Sequence, residues 1–192
     1  MTVLRGVRAV VETLGLFVVV SAGQLVAPLV GLGSAFALAL PLQVQPWTLA
    51  TSVYAHASVG HLFANAVALL VVGLLVARRT SRVRFHAFFL VTGALAGVAT
   101  VILGSLIGGA TVVLGASGAI LALAGYLLAG NLVSDSLLGR VELSRRAWAL
   151  VVLALAMGVV LATGGPGVAL TAHVAGFLLG FGAGRLHLLR VG

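Results

Sequence analysis

The sequence has no cysteine, which excludes disulfides, thiolate zinc sites and cysteine nucleophiles together. It has no lysine either. All eleven positive charges are arginines, so neither a Ser–Lys dyad nor a phosphate-binding P-loop can be built. Acids are almost as scarce, with Glu12, Asp135 and Glu142 the only three. Charged residues make up 7% of the 192, against about 25% in an ordinary soluble domain. A water-soluble globule is therefore ruled out. With 61% apolar residues and a mean hydropathy of +1.26, the chain reads as an integral membrane protein.

What is present is organised around the bilayer. A hydrocarbon core of ~30 Å needs about 20 apolar helical residues. Six stretches approach that length, at 10–30, 61–77, 85–107, 116–133, 147–162 and 168–185. The first lacks the short core and small-residue cleavage pattern of a removable signal peptide and reads as a retained span. The expectation is an all-α polytopic bundle of six transmembrane helices, forming one domain over residues 1–192. Glycine, at 26 residues, is roughly twice its usual ~7% and is expected at close helix contacts.

The arginines test the count. Arg5 and Arg8 precede span 1; Arg78, Arg79, Arg82 and Arg84 follow span 2. Arg140, Arg145 and Arg146 follow span 4, and Arg185 and Arg190 end span 6. With both termini in the cytoplasm, all eleven fall on the cytoplasmic side, as the positive-inside rule requires. The external connections, near 31–60, 108–115 and 163–167, carry none. The net charge of +8 lies in short clusters without a continuous basic face, so the expected partner is the lipid bilayer and not nucleic acid.

The acids follow the same geography: Glu12 near the inner start of span 1, Asp135 and Glu142 in the span 4–5 loop. No carboxylate remains for the outer half of the membrane. That excludes an aspartyl dyad, the general-base Glu of an HExxH metalloprotease, a glycosidase acid pair and the usual carrier of proton-coupled transport. Any chemistry falls to Ser, Thr, His, Asn and Tyr.

Three groups of such residues stand out. The long connection 31–60 is mostly apolar and holds Pro41, Pro46, Trp47 and Tyr54, so it reads as a structured element in the outer interface. Trp47 and Tyr54 suit that depth, and anchoring would be a sufficient role for the whole element. It leads into His56-Ala-Ser-Val-Gly-His61-Leu-Phe-Ala-Asn65, where His61 and Asn65, four apart, share one helix face. Two polar groups there would suit helix–helix gluing or a functional site equally. The second group, Gly115-Ala116-Ser117-Gly118, opens span 4. A membrane serine usually bonds its own backbone, but this one is flanked by small residues and sits where free N–H groups favour negative charge. Ala119 breaks the GxSxG elbow of α/β-hydrolases. At 1.5 Å per residue span 4 is only about 27 Å long, leaving room for a wet recess above Ser117. The third group is Ala172-His173-Val174-Ala175-Gly176, where Gly176, Gly180 and Gly184 form overlapping GxxxG repeats. The topology brings His61, Asn65, Ser117 and His173 to one depth in the outer leaflet.

These residues resemble the rhomboid intramembrane serine proteases of the minimal six-helix prokaryotic kind. His56, His61 and Asn65 match the family's HxxxxHxxxN motif, Gly115 to Gly118 its GxSG, and His173 with Gly176 its AHxxG. The order is the family's order, over Trp47 to Gly180. The resemblance implies Ser117 as nucleophile and His173 as general base, without a third acid. It implies His61, Asn65 and the Ser117 backbone N–H as holders of the oxyanion, with His56 in support. Gly176 and Gly180 would let span 6 meet span 4 at Gly118 and Gly125. No cofactor and no metal are implied. Three positions depart from the family: Thr48 replaces an arginine after the loop tryptophan, Ala77 a glutamate, and Leu121 a tyrosine that stacks on the histidine. The last bears on how His173 is oriented.

The resemblance further implies transmembrane protein substrates, cut near the outer face of a prokaryotic cell membrane after local unwinding. Span 5 and the Gly164-Gly165-Pro166-Gly167 cap would be the moving parts, although those glycines equally suit a tight turn. Two rivals remain: a histidine-based metal or haem protein using His56, His61 and His173, and a non-catalytic rhomboid-like chaperone or adaptor. His86 and His187 read as interfacial side chains at cytoplasmic helix ends.

Overall fold

The computed structural model describes residues 2–107, 112–130 and 169–189. Span 5, its Gly164–Gly167 cap and the span 4–5 loop with Asp135 and Glu142 lie outside the described residues. Within them the protein is all-α, with six helices: α1 (Thr2–Val26), α2 (Thr48–Tyr54), α3 (Val59–Ala77), α4 (Arg82–Leu106), α5 (Ser117–Gly130) and α6 (Leu170–Arg185). Helices α1, α3, α4, α5 and α6 match spans 1, 2, 3, 4 and 6 of the sequence reading. Three segments, Val7–Val30, Val59–Ala77 and Arg82–Leu106, are long and apolar enough to cross a membrane, the mark of a multi-pass membrane protein. Ser117–Gly130 is a shorter apolar helix.

Helix ends follow local chemistry. Span 1, expected over 10–30, ends as α-helix at Val26 and continues as a 3₁₀ turn over Ala27–Val30. Pro28 has no N–H to return to the Gln24 carbonyl, so the α-helical ladder cannot pass it. Gly31, in the left-handed region at φ 76°, closes the turn. Ser58 caps α3 by accepting from the His61 N–H at 3.1 Å, and Ser81 caps α4 by accepting from Arg84 N–H at 3.3 Å.

The core is built from Phe17 of α1, Val53 and Tyr54 of α2, Leu69 of α3, Phe85 and Phe89 of α4, and Ile120 and Leu123 of α5. Helix α4 is the more central element, with Phe85, Phe89, Ala96 and Val101 buried, whereas Val11, Val18, Val19 and Leu25 of α1 point outward. In a membrane protein such outward faces meet lipid, not water. At one end of the bundle Glu12 accepts from Arg8 Nε at 3.0 Å and from Arg82 Nε, and lies 3.0 Å from His86 Nε2. This clasp joins α1 to α4. It gives His86 a carboxylate neighbour where the sequence reading had only an interfacial side chain.

Helices α5 and α6 make the closest pair in the described structure. A Cβ on Gly176 would overlap the Gly118 carbonyl, one on Gly180 the Ala122 carbonyl, and one on Gly125 the Phe177 carbonyl. The small-residue stripe of span 6 thus packs backbone to backbone on α5 through Gly118 and Gly125, as the GxxxG spacing suggests.

Candidate active site

The N-terminal ends of α3, α5 and α6 and the C-terminal part of α1 come together at the end of the bundle opposite Glu12. Ser117 is the first residue of α5, half-buried; His173 lies in the first turn of α6 and is 6% exposed. Their side chains meet, with His173 Nε2 and Ser117 Oγ 2.8 Å apart across 56 residues of sequence. In the tautomer that leaves Nε2 unprotonated, the hydroxyl donates to the ring. The glycine packing below makes this approach possible. A Cβ on Gly118 would lie 3.0 Å from Ala96 Cβ and 3.3 Å from the Ala172 carbonyl, so glycine there lets α6 pack close beside α5.

His61 closes the site from α3. Its Nδ1 accepts from the Ala57 N–H at 3.4 Å, which leaves the proton on Nε2 as a donor. That edge of the ring lies against Gly115: a Cβ there would stand 2.7 Å from His61 Cε1 and 3.0 Å from Nε2. Gly115 also has φ 130°, a conformation that L side chains rarely adopt. Both constraints demand glycine. Asn65, 5% exposed, spends one amide hydrogen on the His61 carbonyl at 2.9 Å and keeps the second available.

The connection 31–60 does more than anchor. It folds into a 3₁₀ turn over Gly33–Phe36 and then α2, tied by Trp47 Nε1 and Thr51 Oγ1 to the Ala35 carbonyl at 3.2 and 3.1 Å. Thr48 is buried and donates to the Gln45 carbonyl at 2.6 Å. Tyr54 is not the interfacial ring expected from sequence. It is 8% exposed and stacks on Phe89 at 6.0 Å, because the α2 face carrying Val53 and Tyr54 turns into the core.

The same element holds the turn before Ser117. Leu38 and Val113 exchange both backbone hydrogen bonds, at 2.8 and 2.9 Å, and Gly115 N–H donates to the Ser52 carbonyl at 2.8 Å. Sequence reasoning missed Leu38, Ser52 and Val113, since a backbone contact carries no residue-type signal.

His56 lies behind His61, 5% exposed, with the two rings 5.2 Å apart edge to face. Burial, helped by the charge His61 would carry, holds the His56 imidazole down to about 4, so it is neutral at pH 7. Among the described residues no three His, Asp or Glu side chains are grouped to hold a metal ion. His56, His61 and His173 are neighbours that do not converge on one point. Leu121 is half-buried one turn beyond Ser117.

The family model described as the Rhomboid domain matches residues 43–190, most of the chain. No curated protein shows significant similarity to it.

Proposed function

The chain belongs to the rhomboid family, and from that premise we propose that it is an intramembrane serine endopeptidase with Ser117 as nucleophile and His173 as general base. The observation that carries this reading is the 2.8 Å approach of His173 Nε2 to Ser117 Oγ, from two separate helices and with no acid beside it among the described residues. Many rhomboids are serine proteases, and a serine whose hydroxyl donates to a buried imidazole is the arrangement that acyl transfer needs.

The chemistry follows from the contacts. His173 takes the Ser117 proton as Oγ bonds the substrate carbonyl carbon. The resulting oxyanion is held by the Ser117 backbone N–H in the first turn of α5, by His61 Nε2–H and by the second Asn65 amide hydrogen. His173 then returns the proton to the departing amine, and water hydrolyses the Ser117 ester. Gly115 and Gly118 supply the space that keeps these groups in register, and Gly176 and Gly180 bring α6 close enough to deliver the imidazole.

Residues 1–192 act in this reading as one six-span domain in a prokaryotic cell membrane. Both termini are cytoplasmic, and the site opens toward the outer face. The substrates are transmembrane segments of other proteins. A peptide bond in a lipid-buried helix is shielded, so segments with small or helix-breaking residues near the outer face are the ones that unwind into the site.

The test is cleavage of a model transmembrane substrate by purified protein in detergent. Wild type is expected to cleave, and Ser117→Ala and His173→Ala to lose cleavage altogether. Cleavage that persists in Ser117→Ala would overturn the assignment and favour a non-catalytic role for the fold.

A further inference from the structure

Helix α1 lies before the segment that the family model matches, yet it reaches the candidate site. Phe17, Ser21 and Gln24 follow the i, i+4, i+7 spacing of one helix face. That face meets His56. The Phe17 and His56 rings are 4.8 Å apart edge to face, Ser21 Oγ is 3.5 Å from His56 Nδ1, and Gln24 Oε1 accepts from the His56 N–H at 3.1 Å.

We propose that Gln24, with Ser21, is a positioning residue for the oxyanion donor His61, acting through the His56–Ala57 backbone. The contacts form a continuous chain. Gln24 fixes the His56 N–H and with it the Ala55–His56 peptide, which holds the backbone one residue before the Ala57 N–H. The Ala57 N–H in turn donates to His61 Nδ1 at 3.4 Å, and this bond keeps the proton on Nε2, the edge against Gly115. The buried His56 ring, packed edge to face on His61, blocks the ring from rotating away. Its own Nε2 is buried without a hydrogen-bond partner among the described residues. An amide at position 24 of a mostly apolar span is costly to place in a membrane unless it has a partner, and here the partner is the His56 N–H.

Removing Gln24 leaves every group that would touch substrate in place and loosens only one of them. The expected loss is therefore smaller than the ~10²–10³ of deleting an oxyanion donor outright. Gln24→Leu is expected to lower kcat about tenfold with KM unchanged, on the scale of a misplacement well below 1 Å. Gln24→Glu, which keeps an acceptor at the same reach, is expected to stay within about twofold of wild type. In a His61→Ala background, Gln24→Leu should cost nothing further, because the group through which it acts is gone.

This inference rests on the protease reading, and the two can fail separately. Persistence of cleavage in Ser117→Ala, or none in wild type, defeats the protease reading. The positioning claim is also read without proteolysis, from the imidazole ¹⁵N resonances of His61. The Nε2-protonated form is expected in wild type and Gln24→Glu, and a tautomer mixture in Gln24→Leu. A Gln24→Leu protein with unchanged His61 resonances overturns the positioning role. So does an equal loss of activity with and without His61, or a loss that Gln24→Glu fails to rescue.

Discussion

Gly176 offers the sharpest test of how packing sets the site. Replacing it by alanine adds one methyl group on the α6 face that meets α5. That Cβ would overlap the Gly118 carbonyl oxygen and would lie 2.8 Å from its carbon and 3.0 Å from the Gly118 Cα. Carbon–carbon contacts are comfortable only at about 3.5 Å or more. Both neighbours are backbone in a helix and cannot swing aside, so α6 must retreat from α5 by at least about 0.5 Å at this level. His173 stands on the same turn, and its Nε2 is 2.8 Å from Ser117 Oγ. A retreat of that size takes the pair to or past the outer limit of a useful hydrogen bond, near ~3.2 Å. Overpacking of this kind costs about 1–3 kcal/mol of stability, and a misplacement approaching 1 Å costs ~10² in rate. Gly176→Ala is thus expected to fold, to unfold at a lower temperature, and to cleave a model substrate about a hundredfold more slowly. Gly182→Ala on the same helix is the control, since a Cβ there meets nothing within 4 Å among the described residues. Wild-type kcat in Gly176→Ala, or an equal loss in Gly182→Ala, would refute the link between the glycine stripe and the dyad.

Two further outcomes follow from particular contacts. Gly115→Ala is expected to reduce cleavage by at least tenfold, roughly the lower range for disturbing an oxyanion site. It imposes a Cβ at φ 130° and pushes it into the His61 ring, and near-normal turnover would show that His61 is not held where the structure places it. Acid should destabilise the protein through His56, whose folded-state value of about 4 lies below the ordinary 6.5. Between those values the unfolded chain binds a proton that the folded chain excludes, so stability rises with pH there. The contribution is complete above 6.5 and is lost as pH falls toward 4. Thermal unfolding in detergent at pH 7 and pH 5 should show a drop in Tm for wild type that is smaller for His56→Gln; equal drops would count against the burial of a neutral His56.

The bundle's membrane character was legible without coordinates because the bilayer is an unforgiving solvent. It requires apolar length and helical backbone, and it leaves charge only at the ends. The three polar motifs were legible for the same reason: buried polar groups in an apolar chain stand out. Tyr54 was misjudged because an amphipathic ring suits an interface and a core alike, and only the orientation of α2 against Phe89 separates the two. Glu12 could be placed near the inner end of span 1, but not assigned Arg82 and His86, which come to it across 70 and 74 residues.

What the sequence determines by itself is composition-driven: a membrane-embedded helical chain, and three polar motifs that hold a serine, histidines and an asparagine but no carboxylate. The tertiary structure alone decides the distances. The 2.8 Å contact of Ser117 with His173 depends on glycine backbones meeting between α5 and α6. The turn before Ser117 depends on carbonyls and amides of Leu38, Ser52 and Val113, groups that every residue type carries. The link from Gln24 to His61 runs through main-chain atoms as well. Side-chain chemistry can be read along a sequence, whereas backbone-to-backbone contact has no letter of its own and exists only once the chain has folded.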